Sequence, residues 1–303
     1  MKISQFNKNY NWYKGNLHSH STVSDGKLSP EELARVYREG GYNFLALTDH
    51  SIYSYWKDLE QENFIIIPGV EIAVDETSRP RCYHFVGISK FFSGKDTKEK
   101  IDEIHWSGPE SIQKAVNILK DKGMFVFLCH PIWSRTEFED FKDINGYFGI
   151  ELYNNGCELE NHTGFSIVYW DSLLRRGRKI WGIAVDDNHN NINDSLGGWV
   201  VVNAPRLTAS DIIDALIDGR FYSSTGPSIY DFGIEDGEVY IECSNVKAIH
   251  FVTYEPRGKS FYANDNKYLS SARFKLSGKE LYVRVECVDH SGKIAWTNPI
   301  FLI

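Results

Sequence analysis

A chain of 303 residues is long enough for one large domain, or for a barrel that carries a small appended domain. Hydrophobic residues make up 42% and charged residues 24%, and no apolar run approaches the roughly 20 residues of a membrane span, so the composition excludes a membrane protein and a disordered one. The net charge of −8 disfavours binding to nucleic acid as a polymer, whereas a nucleotide is compatible with it.

The N-terminus and the cysteines both indicate the cytoplasm. Residues 1–16 are polar and aromatic and lack the apolar stretch of a signal peptide. The five cysteines are odd in number and include no CxxC pair, which favours reduced thiols over a disulfide framework. We therefore expect a cytoplasmic protein without disulfide bonds.

Along residues 1–225, short buried strands alternate with amphipathic helices. Runs of β-branched, aromatic and aliphatic residues predict strands at residues 44–48, 64–67, 83–88, 125–129, 150–153, 180–185 and 199–202. Start and stop signals predict helices after Ser29-Pro30, from Pro109 to Lys122 and from Thr208 to Asp218. Such alternation favours an α/β fold with a parallel sheet, closed into a barrel over about 220 residues. Residues 71–83 are too short for a crossover helix, so we expect an irregular barrel.

After Gly226-Pro227 the hydrophobic pattern changes to a period of two residues. It is clearest at 281–287, where odd-numbered positions are apolar and share one predicted face, opposite Tyr282, Arg284 and Glu286. Gly-containing turn signals separate several short strands in this part of the chain. The pattern predicts two domains: a barrel at 1–225 and a small antiparallel, sandwich-like β domain at 226–303.

Six of the ten histidines lie on the predicted strands or next to their ends. They are His18, His20, His50, His84, His130 and His189. Acidic residues occupy equivalent places at Asp25, Asp49, Glu71 and Asp187. Residues i and i+2 of a strand point to one side, so the pairs 18/20 and 187/189 can each chelate an ion. Because the C-terminal ends of barrel strands converge on one face, the set predicts a metal centre there.

A single histidine is more often a core or surface residue than a ligand, so the prediction depends on the clusters taken together. HxH, TDH and DxH support it strongly, whereas His84, in the middle of a predicted strand, supports it less. A mixture of imidazole and carboxylate suits zinc, manganese or iron, while an all-oxygen set would suit calcium or magnesium. Four histidines are left unassigned, namely His105, His162, His250 and His290.

The segments LHSHSTVSDG, LTDH, GVE, HF, HP and DDNH, in this order, resemble the PHP (polymerase and histidinol phosphatase) family of metallohydrolases. The resemblance covers about residues 12–225. The junction FYSSTGPSI and the closing AWTNPIFLI are similar to the CehA/McbA-like branch of that family. The resemblance implies a distorted (β/α)7 TIM-like barrel with two or three metal ions.

Matched motif by motif, the resemblance also implies three groups of ligands. His18, His20, Glu71 and Asp187 would hold the first ion. Glu71 would bridge to a second ion, held with His84 and His130. Asp25, His50 and His189 would hold the third. All nine positions carry residues that can bind a metal.

A metal centre of this kind predicts a hydrolase. Ions about 3.5–4 Å apart can share a bridging hydroxide and neutralise phosphate oxygens, so hydrolysis of a small phosphate ester is the leading prediction. Glu71 and Asp187 would be the catalytic carboxylates, and Asp49 would orient His50 or a neighbouring ligand. Hydrolysis of a carboxylic ester, carbamate or amide is the alternative, and a non-catalytic, metal-stabilised module is a third hypothesis.

Substrate contacts are predicted on the loops beside the histidines. Arg135, in HPIWSR, could hold a phosphate through two hydrogen bonds, although a solvated loop arginine would explain it equally well. Asn154, Trp133 and Tyr153 are further candidates to face the substrate. The sequence carries no signal for the oligomeric state.

Overall fold

The computed structural model describes residues 2–90, 97–102, 104–265 and 267–302. In these ranges the helices are α1 (Pro30–Glu39), α2 (Glu110–Asp121), α3 (Phe138–Phe141), α4 (Asn155–Asn161), α5 (Ile167–Arg175) and α6 (Ala209–Ile217). The strands are β1 (Lys2–Ser4), β2 (Asn11–Asn16), β3 (Phe44–Leu47), β4 (Ile52–Tyr55), β5 (Ile65–Glu76), β6 (Arg81–Ile88), β7 (Thr97–Lys100), β8 (Phe125–Leu128), β9 (Tyr147–Asn154), β10 (Trp181–Val185), β11 (Trp199–Ala204), β12 (Phe221–Ser224), β13 (Ile229–Glu235), β14 (Glu238–Val246), β15 (Ala248–Thr253), β16 (Lys259–Tyr262), β17 (Leu269–Lys275), β18 (Tyr282–Val288), β19 (Ile294–Thr297) and β20 (Ile300–Phe301). Within the described ranges, no helix combines the length and apolarity needed to cross a bilayer.

The helices predicted from start and stop signals are confirmed, and their caps explain where they begin. At α1, Glu32 N–H donates to Ser29 Oγ at 3.2 Å, while the Glu32 carboxylate accepts from Ser29 N–H at 2.9 Å. At α6, the Thr208 hydroxyl accepts from Asp211 N–H at 3.2 Å. Helices α4 and α5 and strands β4 and β7 were not predicted, because α4, β4 and β7 are short and α5 begins without a side-chain cap.

Most strands belong to one mixed sheet. Its order is β10-β9-β8-β6-β5-β3-β2-β11-β12-β19-β18-β15-β16, with β4 beside β5 and β7, and β20 beside β18. Strands β2, β3 and β5 run parallel, as do β8, β9 and β10, but β6 is antiparallel to both of its neighbours. A tight turn at 77–80 joins β5 to β6 where a regular barrel would have a crossover helix. The fold is therefore mixed α/β and rich in sheet, and the predicted TIM-like barrel is not confirmed.

The chain segments that follow β2 and β10 meet beyond the ends of these strands. Ser19 and Asn188 form a parallel bridge. His20 N–H donates to the Asn188 carbonyl at 3.1 Å, and Asp187 N–H donates to the His18 carbonyl at 2.9 Å. Hydrogen bonds thus join the segment after β2 to the segment after β10, and they involve His18, His20 and Asp187, which the sequence predicts as metal ligands.

The strands present two apolar faces. Alternate residues of β3, β5, β6, β8 and β10, such as Phe44 and Ala46, form one cluster together with α6. We call the side of the sheet that bears these residues the inner face. The intervening residues, such as Leu45 and Leu47, pack against α1, and those of β6, β8 and β9 pack near α2 and α5. Period-two alternation therefore decides which side chains enter the shared interior.

Strands after residue 225 are antiparallel, as predicted, and form two layers. The second sheet has the order β1-β13-β14-β17, and an apolar cluster lies between it and the end of the large sheet. Strand β12 pairs with both β11 and β19, so the large sheet runs without a break past residues 225 and 226. The division into two domains stays a prediction.

Strand β18 is buried on both faces, which differs from the half-exposed strand that its alternation suggests. Val283 and Val285 enter the apolar cluster between the two sheets. On the other face, Tyr282 Oη donates to Asp171 Oδ1 at 2.9 Å, and the Arg284 guanidinium lies 4.8 Å from the Trp170 ring. Helix α5 covers this face, and a hydroxyl and a guanidinium can be buried there because Asp171 and Trp170 supply partners.

Replacing Trp296 should test whether the strands after residue 225 fold together with the rest of the chain. Its ring is buried against Tyr153 and Phe165, at centroid distances of 6.3 and 6.4 Å. We expect Trp296→Ala to lower the free energy of unfolding by about 3–5 kcal/mol, because it leaves a large cavity. Urea unfolding followed by circular dichroism should show one transition, since β12 joins both parts of the sheet.

The control is Tyr230→Ala. Tyr230 is exposed, so its replacement should change the free energy of unfolding by no more than about 0.5 kcal/mol. Two separate transitions in the Trp296 variant, with the first 225 residues unaffected, would show that the two parts fold independently.

Candidate metal centre

Polar residues follow the apolar layer of the inner face along the same strands. Glu71 continues the row of Ile67 on β5, and Asp187 continues the row of Val185 just beyond β10. His84 occupies the same face of β6, opposite β5. Strand positions two residues apart point to the same side, so these polar groups must gather above the apolar layer. The alternation of side chains between the two faces of the sheet therefore places these polar groups together.

Glu71 lies in the middle of this polar layer, and three imidazoles surround its Oε2 atom. They are His50 through Nδ1 at 2.9 Å, His20 through Nε2 at 3.2 Å and His18 through Nε2 at 3.3 Å. Asp187 Oδ1 lies 3.1 Å from His20 Nε2 and 3.2 Å from His18 Nε2. His18, His20, Glu71 and Asp187 therefore form one buried group, whose ligand atoms all lie within 4.8 Å of one another.

The second carboxylate oxygen of Glu71 faces a different pair of histidines. Oε1 lies 2.8 Å from His84 Nδ1 and 3.2 Å from His130 Nε2. These three residues form a second group with the same close spacing. The two oxygens of Glu71 thus point to two sets of donors, which is the arrangement of a carboxylate that bridges two ions.

A third group lies nearer to solvent. Asp25 Oδ2 is 3.6 Å from His50 Nε2 and 3.5 Å from His189 Nε2. His20 joins this group through its Nδ1 atom, which is 3.9 Å from Asp25 Oδ1. The Asp25 side chain is 55% exposed, so this group is the most accessible of the three. All nine sequence-predicted ligands are brought together, and His20 extends into a second group.

Burial and neighbouring charges shift the pKa values of the ionisable groups in this centre. Burial opposes ionisation of Glu71, but the surrounding imidazoles, above all His18, hold its pKa well below the usual range. Burial also opposes protonation of His189, but its hydrogen bond to Asp25 and the charge of Asp187 raise its pKa to about 9. Neighbouring positive charge is what keeps the buried carboxylate of Glu71 ionised.

Two buried polar atoms without hydrogen-bond partners indicate whether the residues of this centre suit metal ions. Glu71 Oε2 and His20 Nδ1 have no hydrogen-bond partner, although nitrogen or oxygen atoms of other predicted metal ligands lie close to both. Their neighbours converge at distances of 2.9–3.9 Å without hydrogen-bond geometry. Most of these spacings match the edges of a coordination polyhedron with metal–ligand bonds of about 2.0–2.2 Å. The donor set therefore fits divalent ions.

Two of the nine residues have an uncommon backbone conformation. His130 and Asp187 have φ angles of 22° and 51°, in the region that residues with side chains rarely adopt. Hydrogen bonds hold both in place: His130 N–H donates to Glu151 Oε2 at 2.8 Å, and Asp187 N–H donates to the His18 carbonyl. Left-handed residues held in this way are common at functional sites.

Glu151 is a functional residue that sequence reasoning missed. It is fully buried on β9, and its Oε1 atom lies 2.6 Å from His18 Nδ1. Its Oε2 atom accepts from His130 N–H and, at 2.9 Å, from Asn154 Nδ2. One carboxylate therefore orients residues of two groups. The signal was available, because an acidic residue interrupts the apolar strand sequence GIELY on the inner face.

Of the two predicted places for Asp49, beside His50 or beside a neighbouring ligand, the structure shows the second. No hydrogen bond joins it to His50 in the described part of the chain. Its carboxylate accepts from the backbone N–H and hydroxyl of Ser21 at 2.8–3.0 Å and from those of Ser24 at 3.2 and 2.9 Å. Asp49 therefore fixes the loop that carries Asp25 and does not orient a histidine directly.

A cleft of about 500 Å³ opens above the three groups. Trp133 lines it, as predicted, together with Leu159, Glu160 and Ile192. Arg135 is exposed and is not among the lining residues, so its predicted contact with a phosphate has no support in the geometry.

Asn154 and Tyr153 are buried and do not line the cleft. Asn154 Nδ2 donates to Asp187 Oδ2 at 3.0 Å, so this amide positions a predicted ligand. The Tyr153 hydroxyl donates to Asn155 Oδ1 at 3.0 Å, and its ring packs against Trp296. Neither side chain is available to a substrate as predicted.

We expect Glu151→Gln to weaken metal binding about 10–100-fold, because the carboxylate that orients His18 would become an amide. Chelator competition on the folded protein measures this, with circular dichroism to confirm that the fold is kept. Glu31→Gln, at an exposed position of α1, is the matched control and should bind as wild type. Identical competition curves for the two variants would show that Glu151 does not position the ligand.

Comparisons with known proteins agree with this geometry. A family model described as the PHP domain matches residues 16–129. A DNA polymerase/3'-5' exonuclease PolX of Bacillus subtilis is 38% identical over 79 residues, which are 20% of this chain and 14% of that protein. An uncharacterised protein of Methanocaldococcus jannaschii is 23% identical over 209 residues, covering 65% of this chain and 83% of that one. This chain thus spans only a small part of the Bacillus protein.

A solved structure shares the fold over nearly the whole chain. It is a two-domain protein from Bacteroides vulgatus containing a predicted PHP-like metal-dependent phosphoesterase, with a TM-score of 0.52, 15% identity, and coverage of 97% of this chain and 96% of that one. Membership of the CehA/McbA-like branch stays a prediction. Residues 16–129 match the PHP domain model, and this match contains His18, His20, Asp25, His50, Glu71 and His84, which the structure brings together.

Proposed function

We propose that this protein is a metal-dependent phosphoesterase that hydrolyses a small phosphate ester. The observation that carries the proposal is the position of Glu71, whose two buried oxygens each face a separate set of histidines. The nine ligands would hold two or three divalent ions, which we propose to be zinc, manganese or iron.

The chain's own residues would hold and orient the reacting groups. His18, His20, Glu71 and Asp187 would hold one ion, Glu71 with His84 and His130 a second, and Asp25 with His50, His189 and His20 a third. When bound, divalent ions supply a nucleophile from water at neutral pH and neutralise phosphate oxygens. Glu151 and Asn154 would keep the ligands in place, and the Trp133 ring would bound the space for the ester group.

The charge balance supports a phosphate. The ligand set includes three carboxylates, from Asp25, Glu71 and Asp187. Against these three negative charges, two or three divalent ions would leave a net positive charge within the ligand set. An anionic ester could be attracted there without a basic side chain. The chain would act in this way on a small molecule, and a nucleotide is compatible with the cleft.

A second candidate is hydrolysis of a carboxylic ester, carbamate or amide. No lysine or arginine is found among the cleft-lining residues within the described ranges, whereas Trp133, Leu159 and Ile192 provide apolar walls. A polarised carbonyl flanked by such walls would need no additional cation. The complete ligand set counts against the third hypothesis, a non-catalytic module, because a scaffold would not need every ligand.

Removing Glu71 should abolish turnover and leave the fold intact. Glu71→Ala removes the carboxylate between two sets of predicted ligands but removes little apolar packing. Bound ions would stabilise the transition state by several kcal/mol, so their loss should lower the rate of hydrolysis by about a hundredfold or more. Elemental analysis of the variant should show fewer ions per chain. Stripping the wild type with a chelator should have the same effect and be reversed by zinc, manganese or iron. Full activity with full metal content in Glu71→Ala would refute the bridging role.

A panel of phosphomonoesters, phosphodiesters and carboxylic esters should separate the two candidate reactions. We expect the highest kcat/KM on a phosphoester. Because Arg135 lies outside the cleft, Arg135→Ala should leave that value nearly unchanged, whereas a fall of tenfold or more, equivalent to about 1.4 kcal/mol, would show that the arginine reaches the phosphate. Faster turnover of a carboxylic ester than of any phosphoester would favour the second candidate.

A further inference from the structure

The hairpin of β5 and β6 carries a second set of metal-binding side chains beside the centre. Asp75 lies directly opposite Cys82 in the antiparallel register, and His84 follows Cys82 by two residues on the same strand. Residues opposite each other and residues two apart share a face of a sheet, so all three side chains are on the face that also bears Glu71. These side chains form a row on the hairpin that extends from Glu71 towards solvent.

The three side chains are close enough to bind one ion. A carboxylate oxygen of Asp75, the Cys82 sulfur and a ring nitrogen of His84 all lie within 4.8 Å of one another. Among the described residues, Asp75 forms no side-chain hydrogen bond or ion pair that would occupy its carboxylate. The set is therefore available to a ligand.

We propose that Asp75, Cys82 and His84 form a separate binding site for a thiophilic divalent cation such as zinc or cadmium. Thiolate, imidazole and carboxylate are the ligand types that zinc prefers, and three protein ligands leave one position open to solvent. The site differs in chemistry from the main centre, whose proposed ligands include no sulfur. Magnesium and manganese, which prefer oxygen, would bind it poorly.

The site can be reached independently of the cleft. Asp75 is exposed and Cys82 is half-buried, and neither residue lines the cleft above the three groups. His84 belongs to both sets, since its Nδ1 atom lies 2.8 Å from Glu71 Oε1. With an ion in both groups, each ring nitrogen of His84 would bind one ion, and the imidazole would release its N–H proton to solvent to bridge them.

Cobalt titration tests the site without depending on any enzymatic activity. Co²⁺ bound to a thiolate gives a sulfur-to-metal charge-transfer band in the near ultraviolet, which nitrogen and oxygen ligands do not give. We expect the full-length protein, with its other sites already filled, to develop this band on addition of one further equivalent of Co²⁺. Cys82→Ser should lose it. Cys243→Ser is the matched control and should keep the band, because Cys243 is buried in the apolar cluster between the two sheets and belongs to none of the candidate metal groups among the described residues.

The aspartate gives a second comparison. Asp75→Asn should require at least about tenfold more Co²⁺ or Zn²⁺ to reach half saturation, as expected when one ligand is lost. Asp58→Asn, at another exposed position, should titrate as wild type. A wild type without the band, a band that persists in Cys82→Ser, or equal affinity in the two aspartate variants would each overturn the proposal.

A measurement on the unmodified chain covers the case in which Cys82→Ser does not fold. Cys82 is half-buried, whereas the other four cysteines are buried, so a thiol reagent such as Ellman's reagent should modify Cys82 first. One equivalent of Zn²⁺ beyond that held by the main centre should slow this reaction at least about tenfold, and Mg²⁺ should not. Modification at the same rate with and without added Zn²⁺ would overturn the proposal.

Discussion

A carboxylate buried among imidazoles is the constraint around which the functional end of this structure is organised. Glu71 is 1% exposed, and imidazole nitrogens lie within 3.3 Å of both of its oxygens. Burial of so many polar groups costs several kcal/mol each unless hydrogen bonds or cations compensate. Glu151 supplies part of that compensation through His18, and Asp49 does so for the adjacent loop. The remaining unpaired atoms, including Glu71 Oε2, point to where cations would complete the set.

The same alternation that builds the apolar interior also places the ligands. On strands β3, β5, β6 and β10, hydrophobic residues occupy one end of the inner face and polar residues continue the row at the other, as Ile67 and Glu71 do on β5. A shift of one residue in the pairing of β5 would turn Glu71 away from the histidines and expose its apolar row. Packing of the core therefore fixes the register, and the register fixes the metal centre.

Strand β12 and the turn between β19 and β20 support the centre from the side of β10. Strand β10 pairs with β9 on one edge only. On its other edge, Gly182 N–H donates to Asn298 Oδ1 at 3.0 Å, and Ala184 N–H donates to Ser223 Oγ at 2.9 Å. Two side chains thus satisfy backbone groups that would otherwise lie unpaired in the interior. Because β10 leads directly to Asp187, Ser223 and Asn298 help to hold a predicted ligand.

The sequence by itself determined the helices with clear caps and the antiparallel strands after residue 225, and its resemblance to the PHP family predicted the nine ligands that the structure brings together. These features depend on local spacing and on side-chain chemistry, as in the capping box at Ser29 and the HxH pair at His18. Only the tertiary structure decided that β6 runs antiparallel to its neighbours, that Glu151 orients His18 and His130, and that Arg135 lies outside the cleft. Strand direction, partners distant in the chain and the side of a loop that faces solvent all depend on contacts between residues far apart in sequence, which periodicity cannot encode.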